Sequence, residues 1–188
     1  AEAGAFDVFV RDEPPERRRR VALWRVLERI RGGGGPLATY DTQAVPAAVP
    51  AYTAPEMTAA DYRAMGVSLH GHPLKHLRDL LRPNGVVTAA ALRALPDGAR
   101  VAVAGLVICR QRPGTAKGFV FLTLEDETGM INIVVTPQRF EAEAALISRS
   151  PLLLIRGVLQ VESGVYNVRA KSFLAVPGVE GVKGRDYH

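Results

Sequence analysis

The 188-residue chain is poor in the residues on which several chemistries depend. It has one cysteine, Cys109, so no internal disulfide can close and no thiolate pair can hold a metal ion. Cys109 lies in the apolar run GLVICRQ and reads as a packed thiol rather than a nucleophile. No stretch approaches the roughly 20 apolar residues of a membrane-spanning helix. The first residues, AEAGAFDVFV, lack the basic lead of a secretory signal, which together with the lone thiol points to the cytoplasm. No GxxxxGK[ST] phosphate loop occurs and no Ser-His-Asp or Cys-His set suggests itself, so hydrolysis and phosphoryl transfer have no recognisable machinery. His70, His72 and His76 cluster, but no cysteine joins them and no carboxylate lies at a ligand spacing. His72 reads instead as fixing the turn ahead of Pro73. No cofactor, metal or small-molecule substrate is expected.

What is present is apolar bulk and positive charge. Hydrophobic residues make up 47% of the chain, enough for a sizeable core, and the formal net charge is +5 with a pI near 9.7. That balance favours an anionic partner, nucleic acid first. The chain begins at Ala1, as if in mid-helix, and reads as a piece of something larger.

Five regions follow from changes in pattern: helical 1–36, a Pro/Ala-rich linker at 37–57, a short helical segment at 58–98, a strand-rich region at 99–176, and a tail at 177–188. In the first, Val21, Trp24, Leu27 and Ile30 recur every three residues as one apolar stripe. Arg17 to Arg20 stand at its entrance, either as a solvated turn or as a phosphate contact. Gly32–Gly35 end the helix. In the third region Thr58 is placed to cap a helix with Asp61 in a variant capping box, Gly66 closes it, and a second helix starts at Pro73 with Leu74, Leu77, Leu80 and Leu81 on its apolar side.

From Ala99 the period shortens to two. RVAVAGLVICRQ, FVFLTLE and MINIVV read as strands, PQRFEAEAALISR as a helix, and PLLLIRGVLQV and VYNVRAKSFLAV as two more strands joined at ESG. Three strands, a helix and two strands make the order of an OB-fold, a small partly open Greek-key barrel. The fold class is therefore α+β, a five-stranded OB barrel preceded by a small helical region. Gly105 and Gly157, inside strands, mark bulges or coils needed for closure. The acids of EDETG read as turn chemistry rather than catalysis, with Gly129 supplying positive φ.

OB barrels bind single-stranded nucleic acid across their second and third strands, flanked by the loop between the first two. Here that loop, RQRPGTAKG, carries Arg110, Arg112, Thr115 and Lys117, and the next strand offers Phe119 and Phe121. Cations track phosphates while rings stack on bases, each stack contributing about 1–3 kcal/mol. Alternation leaves open which parity faces inward: Phe119, Phe121 and Thr123, or Val120, Leu122 and Leu124. Asn132 and Lys171 are further candidates on neighbouring strands.

The stretch GLVICRQRPGTAKGFVFLTLEDETGMINIVV closely resembles the C-terminal OB region of the bacterial error-prone DNA polymerases, C-family enzymes related to the replicative alpha subunit. DYRAMGVSLHGHPLKHLR and the terminal GRDYH extend the resemblance, and AEAGAFDVF with RRRVALW is similar to the end of that family's helix-hairpin-helix region. The resemblance implies a non-catalytic segment, because the palm carboxylates and their metal ions would lie upstream. It implies single-stranded template DNA as ligand in damage-induced, translesion synthesis. It also implies the sliding clamp, a Y-family-like protein and a recombinase-like protein as partners. A module that docks those proteins through its hairpins and tail is the alternative reading, and a tRNA-binding, synthetase-like barrel is a third.

Overall fold

The computed structural model describes residues 3–31 and 49–177. The glycine run, most of the linker and the GRDYH tail lie outside the described residues. The chain divides into two units, Ala1–His70 and Gly71–His188, each taken by itself below.

In the first unit a 3-10 turn at Asp7–Val10 precedes α1 (Pro15–Arg31), and α2 (Ala54–Met65) follows the linker. Val10, Val21 and Ala22 form the buried cluster, with Val49 against it. The predicted stripe is buried only in its first half. Val21 is buried, whereas Leu27 is 41% and Ile30 70% exposed. The four arginines are neither a solvated turn nor a free phosphate contact. Arg17 Nε donates to the Val49 carbonyl, Arg18 to the Glu13 and Arg11 carbonyls, and Arg20 to Pro50 O and Glu56 while lying over the Tyr52 ring. Arg19 is buried and pairs with Asp61 at 2.5 Å. Sequence spacing also misplaces the start of α2. Thr53 and Glu56 form the capping box, one turn earlier than Thr58, while Thr58 and Asp61 are buried within the helix. Gly66 ends α2 in the left-handed region at φ 71°, as expected.

The second unit opens with α3 (Pro73–Leu81), capped by His72, whose Nδ1 accepts from the Leu74 N–H at 3.2 Å. Leu74 and Leu81 are buried, but Leu80 is 70% exposed and Arg78 takes the buried position in its place. A two-residue strand β1 (Val86–Val87) and one turn of helix, α4 (Ala89–Leu92), come next. Then follow β2 (Arg100–Gln111), β3 (Val120–Asp126), β4 (Gly129–Val135), α5 (Pro137–Arg149), β5 (Leu152–Glu162) and β6 (Val165–Ala175).

The sheet order β1-β2-β3-β4-β6-β5, with β2 also paired to β5, closes a five-stranded barrel to which β1 adds a parallel edge on β2. β4 and β6 run parallel and the other barrel pairs antiparallel. This is the predicted OB-fold. Its interior is filled by alternate strand residues such as Val103, Leu122, Ile133, Leu153, Leu159 and Val168, with Ile147 of α5 reaching into the same cluster. Burying each such side chain contributes about 1.5–3 kcal/mol.

Two glycines allow the strands to coil this closely. A Cβ at Gly157 would stand 2.4 Å from the Arg169 carbonyl oxygen, beside the bulge at Arg156/Gly157. A Cβ at Gly105 would stand 2.5 Å from the Leu124 Cβ.

Candidate nucleic-acid interface

Strand pairing resolves the parity that alternation leaves open. Val120, Leu122 and Leu124 are buried, so Phe121 and Thr123 face outward, Phe121 being 39% exposed. On β4 the buried set is Ile131, Ile133 and Val135, which turns Asn132 and Val134 outward. Register aligns these side chains into two rows across the outer face. One runs Gln111, Phe121, Val134, Arg169, and the other Cys109, Thr123, Asn132, Asn167. The first row carries an exposed ring and a cation. The second is a strip of hydroxyl and amide groups with Cys109 at its edge. Cys109 is thus half-buried on the outer face rather than packed in the core, because the bulge between Val107 and Cys109 shifts the strand by one residue.

The β2–β3 connection folds as two consecutive tight turns. Ala116 N–H donates to the Pro113 carbonyl and Phe119 N–H to the Ala116 carbonyl, both at 3.0 Å. In the second turn Lys117 and Gly118 both have positive φ, 49° and 83°, the signature of a type I′ turn. Glycine accepts that conformation freely. Lysine accepts it at a cost of about 1–2 kcal/mol. The turn holds the exposed Lys117 at the rim of the outer face, and Thr115 is exposed in the turn before it. Arg112 is exposed, with its guanidinium carbon 5.2 Å from the centre of the Phe140 ring. That contact orients the cation and leaves its donors accessible.

The structure separates three of the predicted residues from this group. Arg110 pairs with Leu122 and shares its inward parity. Its guanidinium reaches the end of α5, donating to the Ile147 carbonyl at 2.9 Å and the Ser150 carbonyl at 2.7 Å. Phe119 lies just before β3 and is half-buried. Lys171 is exposed on β6 where β5 and β6 slip register, and it lines a cleft with Arg100 and Arg156. Sequence reasoning missed Gln111, Asn167 and Arg169. Asn167 and Arg169 share parity with Lys171 in VYNVRAK, but only the parallel β4–β6 pairing shows that they extend the face.

The acidic hairpin at the far end of β3 is structural. Asp126 accepts from the N–H groups of Thr128, Gly129 and Ala89, so it both shapes the turn and holds the start of α4. Arg78 clamps Glu127 through two hydrogen bonds, at 2.6 and 2.9 Å. Burial would raise the Glu127 carboxyl, but the Arg78 contact holds it below the usual range, and the same hydrogen bond raises Arg78. These charges are neutralised within the fold and stay out of contention for a ligand. Among the described residues no group of His, Cys, Asp and Glu could hold a metal ion, and no helix is long and apolar enough to cross a membrane.

Residues 98–176 match the tRNA anti-codon family, described as an OB-fold nucleic acid binding domain. Over 190 residues, 100% of the chain, the sequence is 41% identical to the error-prone DNA polymerase of Anaeromyxobacter sp. (strain K). Over 195 residues, again 100% of the chain, it is 40% identical to that of Mycolicibacterium paratuberculosis (strain ATCC BAA-968 / K-10). The chain spans only 16% and 17% of the length of these two relatives. Among solved structures, asparaginyl-tRNA synthetase from Pyrococcus horikoshii matches 50% of this chain and 22% of its own, at 21% identity and a TM-score of 0.42. Identity over the whole of this chain places it with the C-terminal region of the error-prone DNA polymerases, and residues 98–176 match the OB-fold nucleic acid binding domain.

Proposed function

We propose that this chain is the non-catalytic, strand-holding part of a cytoplasmic error-prone polymerase acting in damage-induced, translesion synthesis, and that its barrel binds single-stranded template DNA across β3 and β4. The observation that carries the reading is the outward placement of Phe121 in line with Arg169 and beside Thr123 and Asn132, next to a turn that presents Arg112 and Lys117. An exposed ring on a sheet face offers a stacking platform to any base, which suits a protein that meets arbitrary template sequence. Guanidinium and ammonium groups at the rim meet the phosphates. Thr115 adds a hydroxyl donor, and Arg110 acts through position by tying α5 to the strand that feeds the loop.

Fluorescence anisotropy with an oligo-dT strand tests this. Replacing Arg112 and Lys117 with Gln should weaken binding and make it less salt-dependent. Phe121→Ala should weaken it at every salt concentration, by about 1–3 kcal/mol. Unchanged binding in both variants would sink the assignment.

A docking role toward the sliding clamp or mutagenesis accessory proteins is the second reading, favoured by Met130, which stands 64% exposed beside the β3–β4 hairpin. It predicts that Met130→Ser lowers capture of such a partner while leaving DNA affinity intact.

A further inference from the structure

Outside the face just described, the second unit has a cleft of about 560 Å³ whose lining includes Gly85, Arg100, Arg156, Val158 and Lys171. Three of its residues are cations, none is a carboxylate, and the rest of its lining is glycine, alanine and valine. Arg100 and Arg156 project from adjacent antiparallel strands at diagonal positions, since Ala102 pairs with Arg156 and Arg100 with Val158. Side chains so placed stand about 7–8 Å apart. Lys171 enters at the β6 bulge opposite Arg156 and Gly157, where the extra residue turns its side chain outward.

These cations are unlike the arginines that the fold engages. Arg17, Arg18, Arg19, Arg20, Arg78 and Arg110 all donate to carbonyls or carboxylates of the fold. Arg100, Arg156 and Lys171 are exposed, and none of the three makes a side-chain hydrogen bond or ion pair among the described residues. Three like charges converging on one cleft repel one another, and only a ligand or counterions relieve that.

The cleft is joined to the candidate face by the register of the barrel. Followed from strand to strand, the row of Phe121 passes through Val134 and Arg169 to Val158, and from Val158 to Arg100. Every member carries its side chain on the outer surface. With strands about 4.8 Å apart, Val158 lies three steps, roughly 14 Å, around the barrel from Phe121, and Arg169 stands between them.

We propose that the Arg100–Arg156–Lys171 cleft is a second phosphate site for the same nucleic-acid strand, which leaves the β3–β4 face over Arg169 and wraps the barrel rather than continuing along the sheet. The proposal rests on the reading that the outer face binds single-stranded DNA. It adds a direction to the bound strand and a contact set on β2, β5 and β6. Guanidinium forks and an ammonium group suit phosphate oxygens, and the small uncharged residues between them leave room for sugar or base edges.

The test is a salt titration of the 188-residue chain with a 20-nucleotide oligo-dT, comparing wild type with R100Q/R156Q/K171Q, R100K/R156K and R112Q/K117Q. Loss of three phosphate contacts should flatten the slope of log K against log salt by about 2, from about 0.7 per phosphate on a single strand. R100K/R156K, which keeps the charge, should retain most of the slope. Free pyrophosphate, tried as a competitor, should displace the strand only weakly, because it meets one end of the track. A wild-type slope in the triple Gln variant overturns the proposal even where R112Q/K117Q weakens binding, and an equal fall in R100K/R156K overturns it as a charge contact. If R112Q/K117Q has no effect while the cleft variant does, the β3–β4 reading fails and with it the wrapped path. Full displacement by stoichiometric pyrophosphate assigns the cleft to a small diphosphate ligand and overturns the strand assignment.

Discussion

At the scale of single residues, neighbours in sequence have opposite duties. Arg110 and Arg112 are two positions apart and of the same type, yet one holds the C-terminal carbonyls of α5 and the other stands over a ring at the surface. Arg110→Ala should therefore lower stability, by about 1.5–3 kcal/mol for hydrogen bonds made by a charged group, and change DNA affinity little when folded protein is compared at equal concentration. Chemical denaturation alongside anisotropy separates the two effects. Lys117 gives the converse. Its left-handed backbone is strained, so Lys117→Gly should raise the denaturation midpoint slightly, by up to about 1 kcal/mol, while weakening DNA binding through the lost charge. Loss of stability in that variant would contradict the turn geometry. Such differences are invisible in the string RQRPGTAKG, which shows a cationic loop but not which cation the fold consumes.

At the scale of elements, the barrel was legible because each strand announces itself by alternation and each turn by its residues. The ESG turn is an instance: Ser163 and Gly164 both take positive φ, as a two-residue hairpin loop requires. What could not be read were departures from regular count. One bulge moves Cys109 from the expected core position to the outer face, and another places Lys171 opposite Arg156 and Gly157 as an extra residue. A bulge adds a residue without altering the apolar pattern enough to be seen. The start of α2 was missed for a different reason. Spacing pointed to Thr58 with Asp61, but both are buried inside the helix, and the capping box is formed by Thr53 and Glu56. Gly157→Ala tests how tightly closure depends on the second bulge. With a Cβ 2.4 Å from the Arg169 carbonyl, β6 must shift, and a loss of about 1–3 kcal/mol should accompany it. Because Arg169 moves with the strand, DNA affinity should fall in the same variant, as a melting curve and a binding isotherm together would show.

At the scale of the whole molecule, charge is sorted rather than spread. The first unit engages Arg17, Arg18, Arg19 and Arg20 internally, and the Arg19–Asp61 pair is buried, with side-chain exposures of 6% and 1%. Burial would raise the Asp61 carboxyl, but contacts from Ser68, His70 and Arg19 hold it below its ordinary value. A carboxylate depressed in the folded state stabilises above its unfolded value, near 3.9, and loses that contribution as pH falls through the folded value. Acid unfolding of this unit, followed through the single tryptophan Trp24 in α1, should therefore set in below about pH 4, and Asp61→Asn should lower stability at neutral pH and flatten the acid response. Removing one partner of a buried pair costs about 3–5 kcal/mol. A run of four arginines reads in sequence as a solvated turn or a phosphate contact. That it serves the fold follows from Asp61, 42 positions beyond Arg19, which no local pattern connects to it.

On the barrel, by contrast with that run, Arg112, Lys117, Arg169 and the cleft cations stand exposed on the outer surface. That contrast is the central claim, and amide chemical-shift mapping with an oligo-dT strand tests it most directly. The account predicts shifts at Phe121, Thr123, Asn132, Arg169 and the Lys117 turn, continuing to Val158 and Arg100, with α3, α4 and the acidic β3–β4 hairpin unmoved. Shifts confined to that hairpin and α3, or none at a saturating strand concentration, would contradict it.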